Sequence, residues 1–306
     1  MLETELNLLY RCPENTVDVV IDTDTYNEVD DQFAIAYALR NPKINIKGFT
    51  VAPFRKSTRV KDIAEGLQKS REEIELVLKL CGNSDLKGSI FIGGENFMRD
   101  ENTPVESGAA RYLIEASRGY TKTNRLYILA IGAITNIASA ILFDPSIVDR
   151  ICVVWLGGSA LGWWTNNEYN MHQDVAAARV VMGSHAAFVK IPAHGVTSVF
   201  STTRYELEYW LRDKNTICDY LLSNCISYSE AKTKHRAWSR VIWDVLAPAY
   251  LLNEDERFMS GSIINRVLPS ADSKTYEQKP LDHKMFYIHQ INRDALMSDL
   301  FEKLAL

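Results

Sequence analysis

The stretch VDVVIDTDTYNEVDDQFAIAYALR, residues 17–40, joins an apolar run to an acidic loop and then to an apolar helical pattern. The run at 17–21 is rich in Val, which is typical of a strand covered on both faces. The pattern at 30–40 predicts a helix that ends near Asn41, because Pro42 disfavours its continuation. The acidic loop should therefore lie at the carboxyl end of a buried strand, where open α/β sheets collect their functional groups.

The same alternation of short apolar runs and longer helical patterns continues along the chain. It predicts an α/β fold with an open, mainly parallel sheet wrapped by helices. Residues 203–228, 235–252 and 293–305 predict extra helices in the C-terminal third, and no linker or repeat divides the 306 residues, which we expect to form a single domain. Strands are also predicted at 44–51, 125–131, 151–156 and 186–191, and helices at 58–80, 106–118, 135–143 and 173–183.

The composition narrows the classes of partner. The chain has 34 Lys and Arg against 39 Asp and Glu and no basic block, which argues against a nucleic acid polymer or an anionic membrane as partner. Residues 1–16 lack the features of a signal peptide and no apolar run could span a bilayer, so we expect a cytoplasmic protein.

Five cysteines without a CxxC pair are typical of reduced, structural thiols. The histidines, which show no metal-ligand spacing, are His172, His185, His194, His235, His283 and His289.

The acidic loop places five carboxylates, those of Asp22, Asp24, Glu28, Asp30 and Asp31, within ten residues that include no Lys or Arg. Carboxylates held between a buried strand and an apolar helix need cations or hydrogen-bond donors. A hard divalent cation with oxygen ligands is the simplest partner. The alternative is a solvated acidic tip that also caps the helix, because anions are stabilised at a helix N-terminus. The spacing favours the metal site.

Two known acidic motifs can be compared with this loop. An EF-hand that starts at Asp22 requires Gly at its sixth and Glu at its twelfth position, but these are Asn27 and Phe33. A magnesium-dependent phosphatase of the haloacid-dehalogenase type also begins with apolar residues and DxDxT, which VVIDTDT matches. In that alternative Asp22 is a nucleophile and Asp24 an acid/base, but the acidic pair at the end of the loop is not part of the pattern.

A third comparison is closer. The loop resembles the DxDxxxDD signature of the inosine-uridine-preferring nucleoside hydrolase family, with two extra residues between Asp24 and Asp30 and without the usual Pro-Gly. Four later segments resemble further motifs of that family in the same order. The resemblance implies a Rossmann-like fold and a calcium-dependent ribonucleoside N-glycosidase that is often a dimer or tetramer. The four segments are GAITNIA (132–138), LGG (156–158), EYNMHQDVAA (168–177) and WDVLA (243–247).

The resemblance implies specific roles at the metal. Asp24, Asp31, Asp244 and the backbone carbonyl of Thr135 would bind Ca²⁺, and Asp22 would orient these ligands from behind. Asp24 would also take the proton of the attacking water, which suits a carboxylate fixed beside a metal ion.

Further residues would hold the ribose. By the same resemblance, Asp30 would lie near the 2′-hydroxyl, and Glu168 and Asn170 would bind the sugar. From sequence alone, Glu168 and Asn170 could instead be ordinary loop residues, and Thr135 could simply cap the helix that follows it. Asp244 is harder to explain without a partner, because it lies in the apolar run VIWDVLAPAYLL.

The residue before Asp244 bears on the substrate. Many pyrimidine-cleaving members of the family have His at this point, whereas this chain has Trp243. An indole can stack on a base but cannot protonate it. The purine-specific branch of the family also has Trp before this Asp, so the resemblance predicts a preference for purine nucleosides. Residues 50–57 also lack the Asn with which many members contact ribose. A calcium-dependent nucleoside-binding protein without turnover is therefore a further alternative.

Overall fold

The structure is a computed structural model that describes residues 9–55, 57–234 and 236–306. Eight strands form one sheet, in which all neighbouring strands are parallel except the last pair. The predicted open, mainly parallel sheet is confirmed. In spatial order the strands are β3 (Ile90–Ile92), β2 (Ile44–Val51), β1 (Val17–Thr23), β4 (Leu126–Ala130), β5 (Ile151–Leu156), β6 (Ala187–Ile191), β10 (Lys284–Ile291) and β9 (Met259–Asn265), while β7 (Ser201–Thr202) and β8 (Arg240–Val241) pair separately.

Helices cover both faces of the sheet. Along β1 the side chains of Val19 and Ile21 enter one apolar core and that of Val20 enters the other, as the two-residue period of a strand requires. The helices are α1 (Asp31–Leu39), α2 (Ile63–Leu80), α3 (Gly108–Ser117), α4 (Thr135–Phe143), α5 (Tyr169–Gln173), α6 (Val175–Gly183), α7 (Arg204–Leu211), α8 (Thr216–Thr233), α9 (Leu246–Tyr250) and α10 (Arg293–Ala305). None of these helices is long and apolar enough to cross a membrane.

Helix α1 fixes the acidic loop. All of its residues from Asp31 to Ala38 are buried, because the sequence is apolar around most of its circumference. It packs against the short 3₁₀ turn Trp243–Val245 and the helix α9 that follows. The start of α1 is thereby held between β1 and a segment more than 200 residues later in the chain.

Two of the helices predicted in the C-terminal third were wrong in extent. The pattern at 203–228 contains two helices, because Asp213 adopts a left-handed conformation and Asn215 begins α8 by accepting a hydrogen bond from the amide of Cys218. The pattern at 235–252 includes strand β8 before the 3₁₀ turn, and only α9 is α-helical. His235 and residues 1–8, on which the signal-peptide prediction largely depends, lie outside the described residues.

Candidate active site

A cavity of about 720 Å³ opens at the carboxyl ends of the parallel strands. Its volume lies in the range of small-molecule sites. Asp24 follows β1, Ile131 follows β4, Leu156 ends β5 and His194 follows β6, and all four line the cavity. The site therefore lies where the parallel topology predicts it.

Buried carboxylates converge on the floor of this cavity. Asp30, Asp31 and Asp244 each offer an oxygen within 4.8 Å of the other two, and Asp24 lines the same space. Each of the four residues is at most 4% exposed. Asp31 is positioned by the start of α1 and by the hydroxyl of Thr23, which donates to its carboxylate. The structure thus brings together the acidic residues that the sequence selected from both ends of the chain.

The electrostatics of the cluster call for a cation. Burial, followed by the charge of Asp30, raises the pKa of Asp31 to about 8. Burial and the neighbouring carboxylates raise the pKa values of Asp24 and Asp244 well above the ordinary range. One carboxylate oxygen of Asp24 is buried without a hydrogen-bond partner among the described residues. Crowded, desolvated oxygens with an orphaned lone pair fit a divalent cation, which would replace protons as the neutralising charge.

Asp22 lies behind this cluster and does not line the cavity. Its carboxylate accepts hydrogen bonds from the hydroxyl of Thr50 (2.6 Å) and the side-chain amide of Asn136 (2.8 Å). Asn136 also donates to the carbonyl of Val51, so one side chain of the GAITNIA segment ties β1 to the end of β2. This position agrees with a supporting rather than a ligating role for Asp22.

The predicted backbone ligand needs correction. Thr135 starts α4 and donates its hydroxyl to Asp174 (2.7 Å), and it is not among the residues that line the cavity. Ile131 does line the cavity, and its carbonyl accepts a hydrogen bond from Asn170 (3.3 Å). The structure therefore places the residue directly after β4 at the cavity, four positions before Thr135.

Glu168 and Asn170 line the cavity in a fixed arrangement. The carboxylate of Glu168 accepts hydrogen bonds from the backbone amides of Gly158, Asn170 and Met171, which makes it the cap of α5. The side-chain amide of Asn170 donates to carbonyls at the ends of β4 and β5. Both side chains are thus held before any substrate binds.

A buried lysine that the sequence did not single out supports Glu168 from below. Lys190 is fully buried, and its ammonium donates to the carbonyl of Gly157. Gly158 adopts φ +69°, and a Cβ there would come within 2.7 Å of Lys190 Nζ and of the hydroxyl of Tyr276. Burial lowers the pKa of Lys190 to about 7, although Glu168 acts in the opposite direction. The LGG segment is therefore a turn that fits closely over a buried cation.

The mouth of the cavity carries cations that sequence reasoning also missed. Glu28 binds Arg240 of β8, Lys232 (3.0 Å) and the hydroxyl of Tyr228 (2.9 Å), and Arg240 lies 3.5 Å from Asp30. Burial alone would raise the pKa of Glu28, but Arg240 and Lys232 lower it. Part of the charge in the acidic loop is thus compensated from a distant strand, and Glu28 pairs with these cations.

Fold and site together define an α/β protein with a buried carboxylate centre suited to a divalent cation. The model of the inosine-uridine preferring nucleoside hydrolase family matches residues 19–289 of the chain. The chain belongs to this family, as the order of its motifs predicts.

Individual relatives are distant. The chain is 31% identical to uridine nucleosidase 1 of Arabidopsis thaliana over 55% of this chain, and it spans about half (54%) of that protein. It is 28% identical to probable uridine nucleosidase 2 of Oryza sativa subsp. japonica over 72% of this chain and 69% of that protein. A solved purine-preferring ribonucleoside hydrolase from Gardnerella vaginalis superposes with a TM-score of 0.72 at 21% identity, covering 94% of this chain and 98% of that one, which supports the fold.

Lys190 generates a prediction about stability. Since its pKa falls from 10.5 in the unfolded chain to about 7 in the fold, the unfolded state binds more protons between these values. The unfolding free energy of the wild type should therefore rise, relative to Lys190→Met, by about 1.4 kcal/mol per pH unit above neutrality. Urea unfolding at pH 6, 8 and 9 measures this difference. Lys279→Met, at an exposed position, is the control, and parallel pH profiles for wild type and Lys190→Met would contradict the assignment.

Proposed function

We propose that this protein hydrolyses the N-glycosidic bond of ribonucleosides to ribose and free base. The observation that carries the proposal is the cavity with four buried carboxylates, in a chain of the nucleoside hydrolase family. Three of them come from the loop after β1 and the start of α1, and the fourth is Asp244. Such a site can hold the polar face of a sugar while the opposite wall accepts a base.

The cofactor we propose is Ca²⁺, held by Asp24, Asp31, Asp244 and the carbonyl of Ile131. Hard carboxylate and carbonyl oxygens are the ligands that this ion prefers. When bound, the ion would bind a water and the 2′- and 3′-hydroxyls and stabilise the hydroxide form of that water. The chain's own part is to hold these oxygens in place through Asp22 and the helix α1.

The roles of the remaining side chains follow from their positions. Among the described residues, one carboxylate oxygen of Asp24 has no hydrogen-bond partner, and Asp24 would take the proton of the attacking water. Asp30 would face the 2′-hydroxyl, and Glu168 and Asn170 would bind the ribose. The transition state is oxocarbenium-like, so a wall of carboxylates also favours the positive charge that develops on the sugar.

We further propose a preference for purine nucleosides. Trp243 lines the cavity directly before Asp244, so a base attached to the bound ribose would meet its indole. A bicyclic purine gains more from this stacking than a single pyrimidine ring. A cytoplasmic dimer or tetramer, the oligomeric form that the family resemblance implies, completes the proposal.

The two alternatives, a phosphatase and a nucleoside-binding protein without turnover, require different properties of the site. As the nucleophile of a phosphatase, Asp22 would have to reach its substrate, but it is fully buried and hydrogen-bonded behind the cavity. This observation argues against the phosphatase. A nucleoside-binding protein without turnover would use the same cavity, so only an activity assay distinguishes it.

The decisive experiment is product analysis with inosine, uridine and p-nitrophenyl phosphate, with and without a chelator. We expect free ribose from the nucleosides, loss of activity with the chelator and no phosphate release. In Asp24→Asn the turnover of inosine should fall by at least roughly a hundredfold, because the base is removed while the shape is kept. Binding of inosine without release of ribose would refute the proposed hydrolysis. An Asp24→Asn variant with full activity would refute the proposed role of Asp24.

Trp243 provides the test of substrate preference. Trp243→Ala should lower kcat/KM for inosine, adenosine and guanosine more than for uridine, because the stacking surface is lost. Trp164→Ala, at a position that is 82% exposed, is the matched control and should leave these values unchanged. Steady-state kinetics on the four nucleosides measures the effect. A wild type that favours uridine, or a Trp243→Ala variant with unchanged purine kinetics, would leave Trp243 as a packing residue only.

A further inference from the structure

Two histidines of the described part of the chain line the cavity, and they differ in how their rings are held. His172 is exposed, and its Nδ1 lies 2.9 Å from the hydroxyl of Ser273. His194 is partly buried, and its ring lies edge-on to the indole of Trp243, with 6.0 Å between ring centroids and 77° between the planes. His194 is thus the imidazole that lies beside the proposed base-stacking surface.

The backbone fixes the position of His194. It lies in the turn directly after β6, and its carbonyl accepts a hydrogen bond from the amide of Ala160 (2.8 Å). The next residue, Gly195, adopts φ +88°, and a Cβ there would come within 2.9 Å of Ala160 and Trp163. The 160–163 segment therefore packs closely against this turn, which fixes where the side chain of His194 begins.

The two ring nitrogens of His194 have different surroundings. Nδ1 lies 3.4 Å from the hydroxyl of Ser159, which is itself fully buried. Within the described residues, no protein hydrogen bond is recorded for Nε2. The hydroxyl holds the ring from behind, so that Nε2 is the nitrogen available to a ligand in the cavity.

The proposed reaction needs such a group. When the C1′–N bond breaks, its electron pair moves onto the base, and the resulting anion is a poor leaving group unless it gains a proton. The carboxylates at the metal serve the sugar and the water, and the indole of Trp243 has no acidic proton to give. A donor beside the base is therefore the element that the site described so far lacks.

We propose that His194 is the general acid that protonates the departing base through Nε2. This inference rests on the proposed hydrolysis. The imidazolium gives its proton to a nitrogen or oxygen of the base as the bond electrons arrive there, and water adds to C1′ and loses its proton to Asp24. Nucleoside and water become ribose and neutral base, and solvent later exchanges the proton from Asp24 and returns one to His194.

A substrate that needs no proton separates this role from a structural one. p-Nitrophenyl β-ribofuranoside carries the same sugar, but its leaving group is a stabilised anion. In His194→Gln, kcat/KM for inosine should fall by at least roughly a hundredfold, the lower end of general-acid contributions. For the p-nitrophenyl riboside the same variant should stay within about threefold of the wild type, because the leaving group carries its own charge.

Two further variants complete the test. His289→Gln, at an exposed position of strand β10, should match the wild type on both substrates. Ser159→Ala keeps the imidazole but removes the hydroxyl near Nδ1, so it should show the same selective loss on inosine with a smaller amplitude, even if His194→Gln does not fold.

The outcomes are distinct. Equal losses on both substrates in His194→Gln and Ser159→Ala would assign His194 to positioning and overturn the proposal, as would unchanged rates on both. If the wild type cleaves neither substrate, the hydrolysis itself fails and His194 loses its role with it. If only the proposal for His194 is wrong, the wild type still cleaves the substrates.

Discussion

Repulsion among buried carboxylates is the constraint on which the rest of this structure depends. Asp24, Asp30, Asp31 and Asp244 are removed from water by a strand buried on both faces and by a helix that is buried almost all round. Such a cluster is unfavourable unless protons or a cation neutralise it. A protein that keeps such a cluster gains function from it, and in the proposed hydrolysis this arrangement would hold both a sugar and a water.

Support for the cluster comes from polar groups behind it rather than from the cavity itself. Asp22 joins the ends of β1 and β2 through Thr50 and Asn136. On the far wall, Lys190 lies beneath the turn whose amide binds Glu168. Because these contacts are made within the protein, they hold the side chains of the site in place, which is the preorganisation that electrostatic catalysis requires.

The sequence predicted the parts of the structure that repeat a physical pattern. Strand β5 lies at the predicted 151–156 because it is buried on both faces, whereas β10 was missed because its exposed, polar positions break the apolar run. The acidic side chains could be selected by type, but the backbone ligand could not, since every residue has a carbonyl and only the fold shows that Ile131 and not Thr135 faces the cavity. Arg240 and His194 belong to segments whose approach depends on tertiary packing, which no local pattern predicts.

Calcium titration of chelator-treated protein tests the central claim most directly. If the carboxylates form one metal centre, isothermal titration of the wild type should give a single site per chain, and Asp244→Asn, which removes a ligand from the far end of the chain, should abolish or greatly weaken it. An exposed substitution such as Asp272→Asn should leave the binding unchanged. The account is contradicted if the wild type binds no calcium, or if Asp244→Asn binds it with the same stoichiometry and affinity.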